Sequence, residues 1–525
     1  MTNVVVPSTN VVVPSGPAPA APVGLLTPGN RDAAVRLLSS LVELGVDFKL
    51  GEDIYGARLS PVQLRDRICT GLPEYGAPVE QVMEEFVRTL LPYCKNEASP
   101  RFLGFGDTGA DLAALGGGVL ALLTQQNLIN QSFDSPSATF AEIAVLRWLR
   151  ELIGYTNPAV GEVTTVWDTG GIVTTGGTMS NTVAMMLARE HAVPATMRTG
   201  VREPERYAVV VPAGIGHYSV TSAVAWIGCG MRQVIEVPTA GYRYDLAALE
   251  RTLRAHPGRV MAVVAYAGDS RTQTLEDLRG VLETVRGADE GIWLHADACW
   301  GLMAALTPRL AHRLEGITGF DSVTVDPHKI LDVPYNLSAL LVRHPQALRS
   351  IASHSDLIMQ EDFAFGQVTP FLGSKGWSSL KLWAALRAHG RTGLAALVDR
   401  RRERTAAFCA LVDSHPRLLR LHDPDMTAVA FVYLPAGFDA AAPDIELLNR
   451  VNTAIHAELL EEGRWFFHQF SLRDAGRIQA DAVLHPLRFV GCNPRIEAAH
   501  MTAALEHVVE LGLNLESRPA AGDRR

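Results

Sequence analysis

Two short apolar runs in the middle of the chain end on charged residues. Gly291-Ile292-Trp293-Leu294 leads into His295-Ala296-Asp297, and Ser322-Val323-Thr324-Val325 leads into Asp326-Pro327-His328-Lys329. Runs of this kind belong to strands buried on both faces, as in a parallel sheet flanked by helices. In such open α/β sheets the carboxyl ends of the strands line the ligand crevice. A carboxylate, Asp297, and an amine, Lys329, are therefore expected in one crevice.

The surrounding pattern supports that sheet. Strand-like runs at 171–175, 207–212, 260–265, 292–295, 322–325 and 339–343 alternate with helical patterns at 180–191, 219–227, 246–255 and 275–286. Such alternation predicts an α/β fold with a mostly parallel central sheet over residues 100–384. Ahead of it, helical spacing at 31–44, a Ser60-Pro61 start signal and an amphipathic run at 79–91 predict a helical N-terminal segment over 26–99. Beyond it, a long helix from about 385, strands near 428–433 and 487–490, and helices at 445–460 and 496–511 predict a small α+β C-terminal domain over 385–517. Residues 2–8 (TNVVVPS) recur at 9–15 and run into a Pro/Ala/Gly stretch, so 1–25 reads as a disordered tail; 518–525 reads as frayed.

Composition excludes several classes of partner. The chain has 525 residues with a net charge of −9 and no Lys/Arg-rich run, which argues against nucleic acid. The most apolar segment, 112–123, is too short to span a bilayer and contains three consecutive glycines, so it reads as a buried helix rather than a membrane anchor. Six cysteines stand singly without a CxxC pair, suggesting neither a metal site nor a disulfide framework. The N-terminus lacks a basic leader, and a cytoplasmic location is expected.

Chemistry-bearing residues recur at the strand ends. Thr174-Thr175-Gly176-Gly177-Thr178-Met179-Ser180-Asn181 joins a strand to a helix, where glycines and a helix N-terminus can cradle a phosphate. His217 follows the next strand and can stack on an aromatic ring; Ser270, in Gly268-Asp269-Ser270, offers a hydroxyl. His328 can donate to a phosphate oxygen. Taken alone, each has a plainer reading: a capped turn, a structural histidine, an ordinary loop, a helix-capping aspartate, a salt-bridged lysine. Taken in order, they supply a phosphate cradle, a stacking ring, a hydroxyl, a carboxylate and an amine. That set suits pyridoxal phosphate, whose aldehyde forms a Schiff base with a lysine and whose ring nitrogen is held protonated by an aspartate.

The order resembles the group II pyridoxal phosphate-dependent decarboxylases, which act on aromatic amino acids, histidine, glutamate and related substrates. The likeness rests on Ser99-Pro100-Arg101-Phe102, Ser135-Pro136 with Glu142, Thr175-Gly176-Gly177-Thr178, His217, Gly268-Asp269-Ser270 and His295-Ala296-Asp297-Ala298. It continues through Asp326-Pro327-His328-Lys329, Val333-Pro334-Tyr335, Leu372-Gly373-Ser374 and Ser379-Leu380-Lys381-Leu382-Trp383. The resemblance implies a fold type I homodimer with active sites at the subunit interface. It makes Lys329 the Schiff-base lysine, Asp297 the ring-nitrogen partner and His217 the stacking residue. Gly177, Thr178 and His328 become phosphate-binding, and Ser270 sits near the cofactor's phenolic oxygen.

Two departures bear on the reaction. Many members carry a loop tyrosine that protonates Cα; the segment 350–356 has none, and His354 is the expected stand-in. Without such a donor the same scaffold can divert to oxidative deamination, giving an aldehyde. At the substrate wall, Phe105 keeps one ring, but Gly106 falls where a bulky neighbour is often found, and no arginine matches a role in binding an acidic side chain. Phe105, Leu128, Asn130, Phe133 and His354 are the expected pocket residues. A likeness to bacterial valine and methionine decarboxylases, across 356–358 and 372–375, tilts the expected substrate to an L-amino acid with an apolar, aliphatic side chain, the alternative being an aromatic one. A non-enzymatic homologue is disfavoured by the intact Lys329, Asp297 and His217.

Overall fold

The computed structural model describes residues 24–357, 359 and 362–517. The repeated tail before residue 24 and the terminus after 517 lie outside the described residues. The chain forms two compact units, divided between Asn96 and Glu97.

The first unit is helical: α1 (Arg31–Leu50), α2 (Pro61–Ile68) and α3 (Val79–Thr89). Ser60 and Gln63 form a reciprocal capping box that starts α2 just before its proline. The Asn96 side chain donates to Phe48 O at 2.8 Å and Gly51 O at 3.2 Å, satisfying carbonyls at the end of α1.

The second unit holds a seven-stranded sheet. Its strands are β1 (Gly171–Thr174), β2 (Ala208–Pro212), β3 (Val234–Val237), β4 (Val260–Tyr266), β5 (Trp293–Asp297), β6 (Ser322–Val325) and β7 (Ser338–Val342), in the order β1-β7-β6-β5-β4-β2-β3. All pairs are parallel except the two made by β7, which alone runs opposite. Strands β2, β4, β5 and β6 are buried at every position, which is why they read as continuous apolar runs. Strand β3 escaped the sequence reading: it is an edge strand, half-buried and carrying Glu236.

Helix α4 (Leu112–Thr124) packs against α10 (Ser379–Ser414), and Gly117 permits it: a Cβ there would lie 2.8 Å from Leu380 O. The expectation that α4 is buried is corrected. Leu112 and Leu122 are 81% and 76% exposed, because apolar composition places a helix against something without saying what. Helix α5 (Ala138–Leu152) packs on β1 and β7. Helix α6 (Gly177–Ala192) lies across β1, β7, β6, β5 and β4, and α7 (Tyr218–Trp226) packs on α6. Helix α8 (Leu246–Ala255) packs on β3 and α9 (Leu278–Ala288) on β4.

A smaller antiparallel sheet follows, with strands β8 (Leu418–Arg420), β9 (Ala428–Tyr433), β10 (His468–Gln469) and β11 (Leu487–Val490) in the order β8-β9-β11-β10. Its core includes Phe408, Phe431, Phe467 and Phe489. Helices α11 (Ile445–Glu462) and α12 (Ala498–Ser517) accompany it. The 384/385 boundary read from the sequence falls inside α10, whose helical backbone breaks at Gly390 (φ 57°).

Candidate active site

The carboxyl ends of the central strands open onto a cavity of about 320 Å³. Its lining includes Gly177, Thr178, His217, Ser270, Asp297 and Lys329. Three features of the sheet create it. Asp297 ends β5. The turn after β6 presents Lys329. Helix α6 begins at Gly177, directly after β1.

Helices α4, α8, α9 and α11 are capped by the aspartates Asp111, Asp245, Asp277 and Asp444. Helix α6 has Gly176 at that position and no side-chain cap. Its amino end therefore offers N–H groups and dipole charge to an anion. The close approach at Gly177 is tight: a Cβ there would lie 2.8 Å from Cys299 Sγ and 2.9 Å from Asp326 Oδ2.

Behind the cavity a hydrogen-bond chain fixes every proton. Trp293 Nε1 donates to Ser322 Oγ at 2.8 Å, and Ser322 stands 2.8 Å from His295 Nδ1. The Asn181 amide nitrogen is committed to two acceptors, so its Oδ1 accepts from His295; the neutral ring thus carries its proton on Nε2, and Nδ1 accepts from the Ser322 hydroxyl. His295 Nε2 lies 3.1 Å from Asn181 Oδ1. The Asn181 amide then donates to Asp297 Oδ2 at 2.8 Å and to Ser219 Oγ at 2.9 Å. Ser219 passes its hydroxyl hydrogen to His217 Nδ1 at 2.7 Å, which also accepts from the Ser219 backbone at 3.3 Å. Burial pushes His295 down to about 4 despite nearby Asp297, so it serves the chain as a neutral ring. Burial likewise lowers His217, against the pull of Asp297. Asp297 Oδ1 accepts from Cys299 N at 3.1 Å.

Lys329 Nζ stands 2.7 Å from Asp326 Oδ2. His328 Nδ1 donates to Leu337 O at 2.6 Å, leaving Nε2 toward the cavity. Two buried cations hold this turn. Lys381 Nζ donates to Pro334 O at 2.9 Å and Tyr335 O at 2.8 Å. Arg401 donates to Ile330 O and pairs with Asp332 at 2.7 Å, while Thr108 donates to Asp332 Oδ1 at 2.6 Å. The substrate-wall segment and the lysine turn are thus tied together.

A family model described as the pyridoxal-dependent decarboxylase conserved domain matches residues 61–434. The chain belongs to the pyridoxal-dependent decarboxylase family. An L-2,4-diaminobutyrate decarboxylase of Rhizobium meliloti is 29% identical over 389 residues, 72% of this chain and 74% of that protein. A cysteine sulfinic acid decarboxylase of Mus musculus is 27% identical over 421 residues, 77% of this chain and 81% of that one. The crystal structure of mouse CSAD matches with a TM-score of 0.80 at 24% identity, covering 92% of this chain and 99% of that chain. Oryza sativa TDC with PLP and tryptamine matches with a TM-score of 0.81 at 22% identity, covering 94% and 100%. The fold is fold type I, and pyridoxal phosphate is the cofactor of this decarboxylase.

The cavity fits that cofactor. An uncapped helix end, an oriented carboxylate, a neutral imidazole and an amine face one space, and the Gly177 cradle admits no side chain. The structure brings together Gly177, Thr178, His217, Ser270, Asp297, His328 and Lys329. It does not bring His354 there: that residue is exposed in the stretch after Ile351. Leu128 and Asn130 are buried elsewhere, with Leu128 N bonded to Lys375 O, and Phe133 is 63% exposed. None of the three lines this chain's own cavity. Phe105 does not line it either: its ring centre lies 4.9 Å from the Arg488 guanidinium, and a Cβ on Gly106 would stand 2.7 Å from Cys492 Cβ and 3.4 Å from Lys329 O. Sequence reasoning named Asn181 and Asp326 only as parts of motifs, and gave neither them nor Ser219 and Arg488 a role of their own. A polar residue amid the apolar positions of α6 was the available signal for Asn181. Arg488 is a buried cation at the wall, donating to Ser270 O and to Gly104 O at 3.1 Å, so its printed bonds go to backbone carbonyls.

Proposed function

We propose that this chain decarboxylates an L-amino acid to the primary amine, with Lys329 as the cofactor anchor and Asp297 as the partner of the ring nitrogen. His217 lies on the ring face, Gly177, Thr178 and His328 hold the phosphate, and Ser270 meets the phenolic oxygen. The observation that carries this reading is the Asn181 bridge, whose one amide holds the Asp297 carboxylate and, through Ser219, the His217 ring in the cavity that holds Lys329. When bound, pyridoxal phosphate supplies an electron sink for the bond that breaks. The protein's part is orientation. Asn181 and Cys299 N hold the two Asp297 oxygens at fixed points, and His217 presents a neutral ring with its proton on Nε2. His328, with Nδ1 donating to Leu337 O, would meet a phosphate through Nε2.

The apolar, aliphatic side chain remains the proposed substrate class, on the strength of Phe105 and its stack with Phe102 and Phe466. Asp107 favours a second reading, a cationic side chain. Its Oδ2 accepts from Tyr335 at 2.9 Å, while its buried Oδ1 has no hydrogen-bond partner among the described residues. Burial raises its pKa, against the pull of Lys329 and His328, so a substrate ammonium there would satisfy an orphaned acceptor. The diaminobutyrate decarboxylase relative is named for a substrate with a side-chain amine.

We further propose a cytoplasmic homodimer with shared sites, divided functionally into residues 26–99, 100–384 and 385–517. Among the described residues no helix is long and apolar enough to cross a membrane. The exposed apolar face of α4 supports a second copy. So do Phe133 and Leu357, exposed in segments that avoid their own cavity; His354, the proposed Cα proton donor, would serve the other copy's site.

A panel of L-amino acids scored for carbon dioxide, amine, aldehyde and peroxide tests the reading, with Asp107→Asn alongside. Turnover of valine, leucine or methionine to amine, little changed by D107N, supports the aliphatic class. Preference for diaminobutyrate or lysine that D107N abolishes replaces it with the cationic one. Borohydride reduction followed by peptide mass mapping must find the cofactor adduct on Lys329; an adduct on another lysine defeats the assignment.

A further inference from the structure

Lys329 meets a carboxylate that the family reading leaves without a task. Asp326 is 1% exposed, its Oδ1 accepts from Ser338 Oγ, and its Oδ2 lies 2.7 Å from Lys329 Nζ. The same carboxylate faces the amino end of α6, since a Cβ on Gly177 would stand 2.9 and 3.1 Å from its two oxygens. An acid therefore borders the place where a phosphate is expected. A dianion in the cradle and a carboxylate at its edge repel one another in a medium that screens charge poorly.

We propose that Asp326 accepts the ammonium proton of Lys329, freeing the amine to condense with the cofactor aldehyde, and then borders the phosphate as a neutral acid. This rests on the cofactor reading above. In the transfer the Nζ–H bond breaks and an Oδ2–H bond forms, so the pair is neutral overall before and after. The amine lone pair then attacks the carbonyl carbon. A carbon–nitrogen double bond forms, and the carbonyl oxygen leaves as water with the two hydrogens that remained on nitrogen.

The neighbours define when the proton moves. Asp297 and Cys299 from the end of β5, His217 at the start of α7, Asp107 ahead of α4, and His328 and Tyr335 on the lysine's own turn face the pair. Trp300 lies with its ring centre 6.0 Å from Nζ. Burial alone would lower the Lys329 ammonium and raise Asp326. The attraction between them, with Asp297 helping the lysine and His328 the aspartate, reverses both directions. The charged pair is thus the resting state, and an arriving phosphate tips it toward the neutral one.

The test uses the full chain stripped of cofactor and mixed with pyridoxal phosphate or pyridoxal, with formation of the adduct followed by visible absorbance. In the wild type an internal acceptor makes the condensation rate nearly flat, within about threefold, from about pH 6.5 to 8.5. In Asp326→Asn the proton must go to solvent, so the rate climbs about tenfold per pH unit at the acid end of the range and levels off at the lysine's own pKa, which burial without the carboxylate lowers. Asp326→Glu keeps a carboxylate and retains the flat profile at a reduced rate, which decides the matter if the Asn variant does not fold. A wild-type profile in D326N, a loss of equal size at every pH, or a steep profile in D326E overturns the proposal while leaving the Lys329 anchor standing. Wild-type protein that forms no adduct, or an adduct that persists in Lys329→Ala, overturns the cofactor assignment itself.

Discussion

Asn181 and Asp297, 116 positions apart in the chain, are joined by a 2.8 Å hydrogen bond from the amide Nδ2 to the carboxylate Oδ2. Because His295 holds the other end of that amide, its orientation is not free to reverse. Asn181→Ala releases the carboxylate and leaves Ser219 without its donor. A lost bond to a charged, buried group is worth about 1.5–3 kcal/mol, so cofactor affinity should weaken by about 10- to 100-fold. Equilibrium titration of the stripped protein measures this; unchanged affinity would show the bridge to be incidental.

Glu276 gives the fold a pH signature of its own. Burial pushes its carboxyl up to about 7, although Tyr244 N and Asp277 N donate to it at 3.0 and 2.9 Å. The unfolded chain releases this proton near pH 4.5 while the folded chain keeps it until about 7. Stability should therefore fall as pH rises through that window, by about 3 kcal/mol. Denaturant unfolding of wild type and Glu276→Gln between pH 4.5 and 7.5 checks it; the variant's curve should lack this decline.

Arg401 and Asp332 form a pair that is nearly inaccessible to solvent, 1% and 10% exposed at the side chains. Arg401→Met strands the carboxylate beneath Thr108 and costs about 3–5 kcal/mol of stability. The double variant R401M/D332L removes both charges and should lose less than the two single changes added together. Additive losses in urea unfolding would mean the two side chains act independently.

The exposed apolar face of α4 predicts that Leu122→Glu shifts the protein to a smaller species in sedimentation, with less activity per chain. A variant that sediments like wild type would move the subunit contact elsewhere.

How much of this was legible beforehand follows from burial. Strands β5 and β6 announced themselves because both their faces are covered, and their ends could then be placed in one crevice. Strand β3 was invisible because an edge strand with Glu236 has no such run. Helix α4 was legible as a helix and misjudged as buried, since hydrophobicity records a demand for cover and not its source. Asn181 lies inside a helix that was correctly expected, yet nothing local says that its amide reaches a strand more than a hundred residues later. Asp326 was in plain view within the lysine motif; only the folded turn shows its carboxylate against Nζ.

The reversed direction of β7 has a mechanical consequence. Val325 and Ala339 are register partners on adjacent strands, so residues 326–337 form a short return and not a crossover. Its ends are stitched into the sheet, and Lys381 and Arg401 moor its middle. A backbone excursion at position 329 would have to tear pairing on both sides. Exchange of partners at the amine is therefore left to rotation about the four carbon–carbon bonds of its own stem, a swivelling tether on a stationary post.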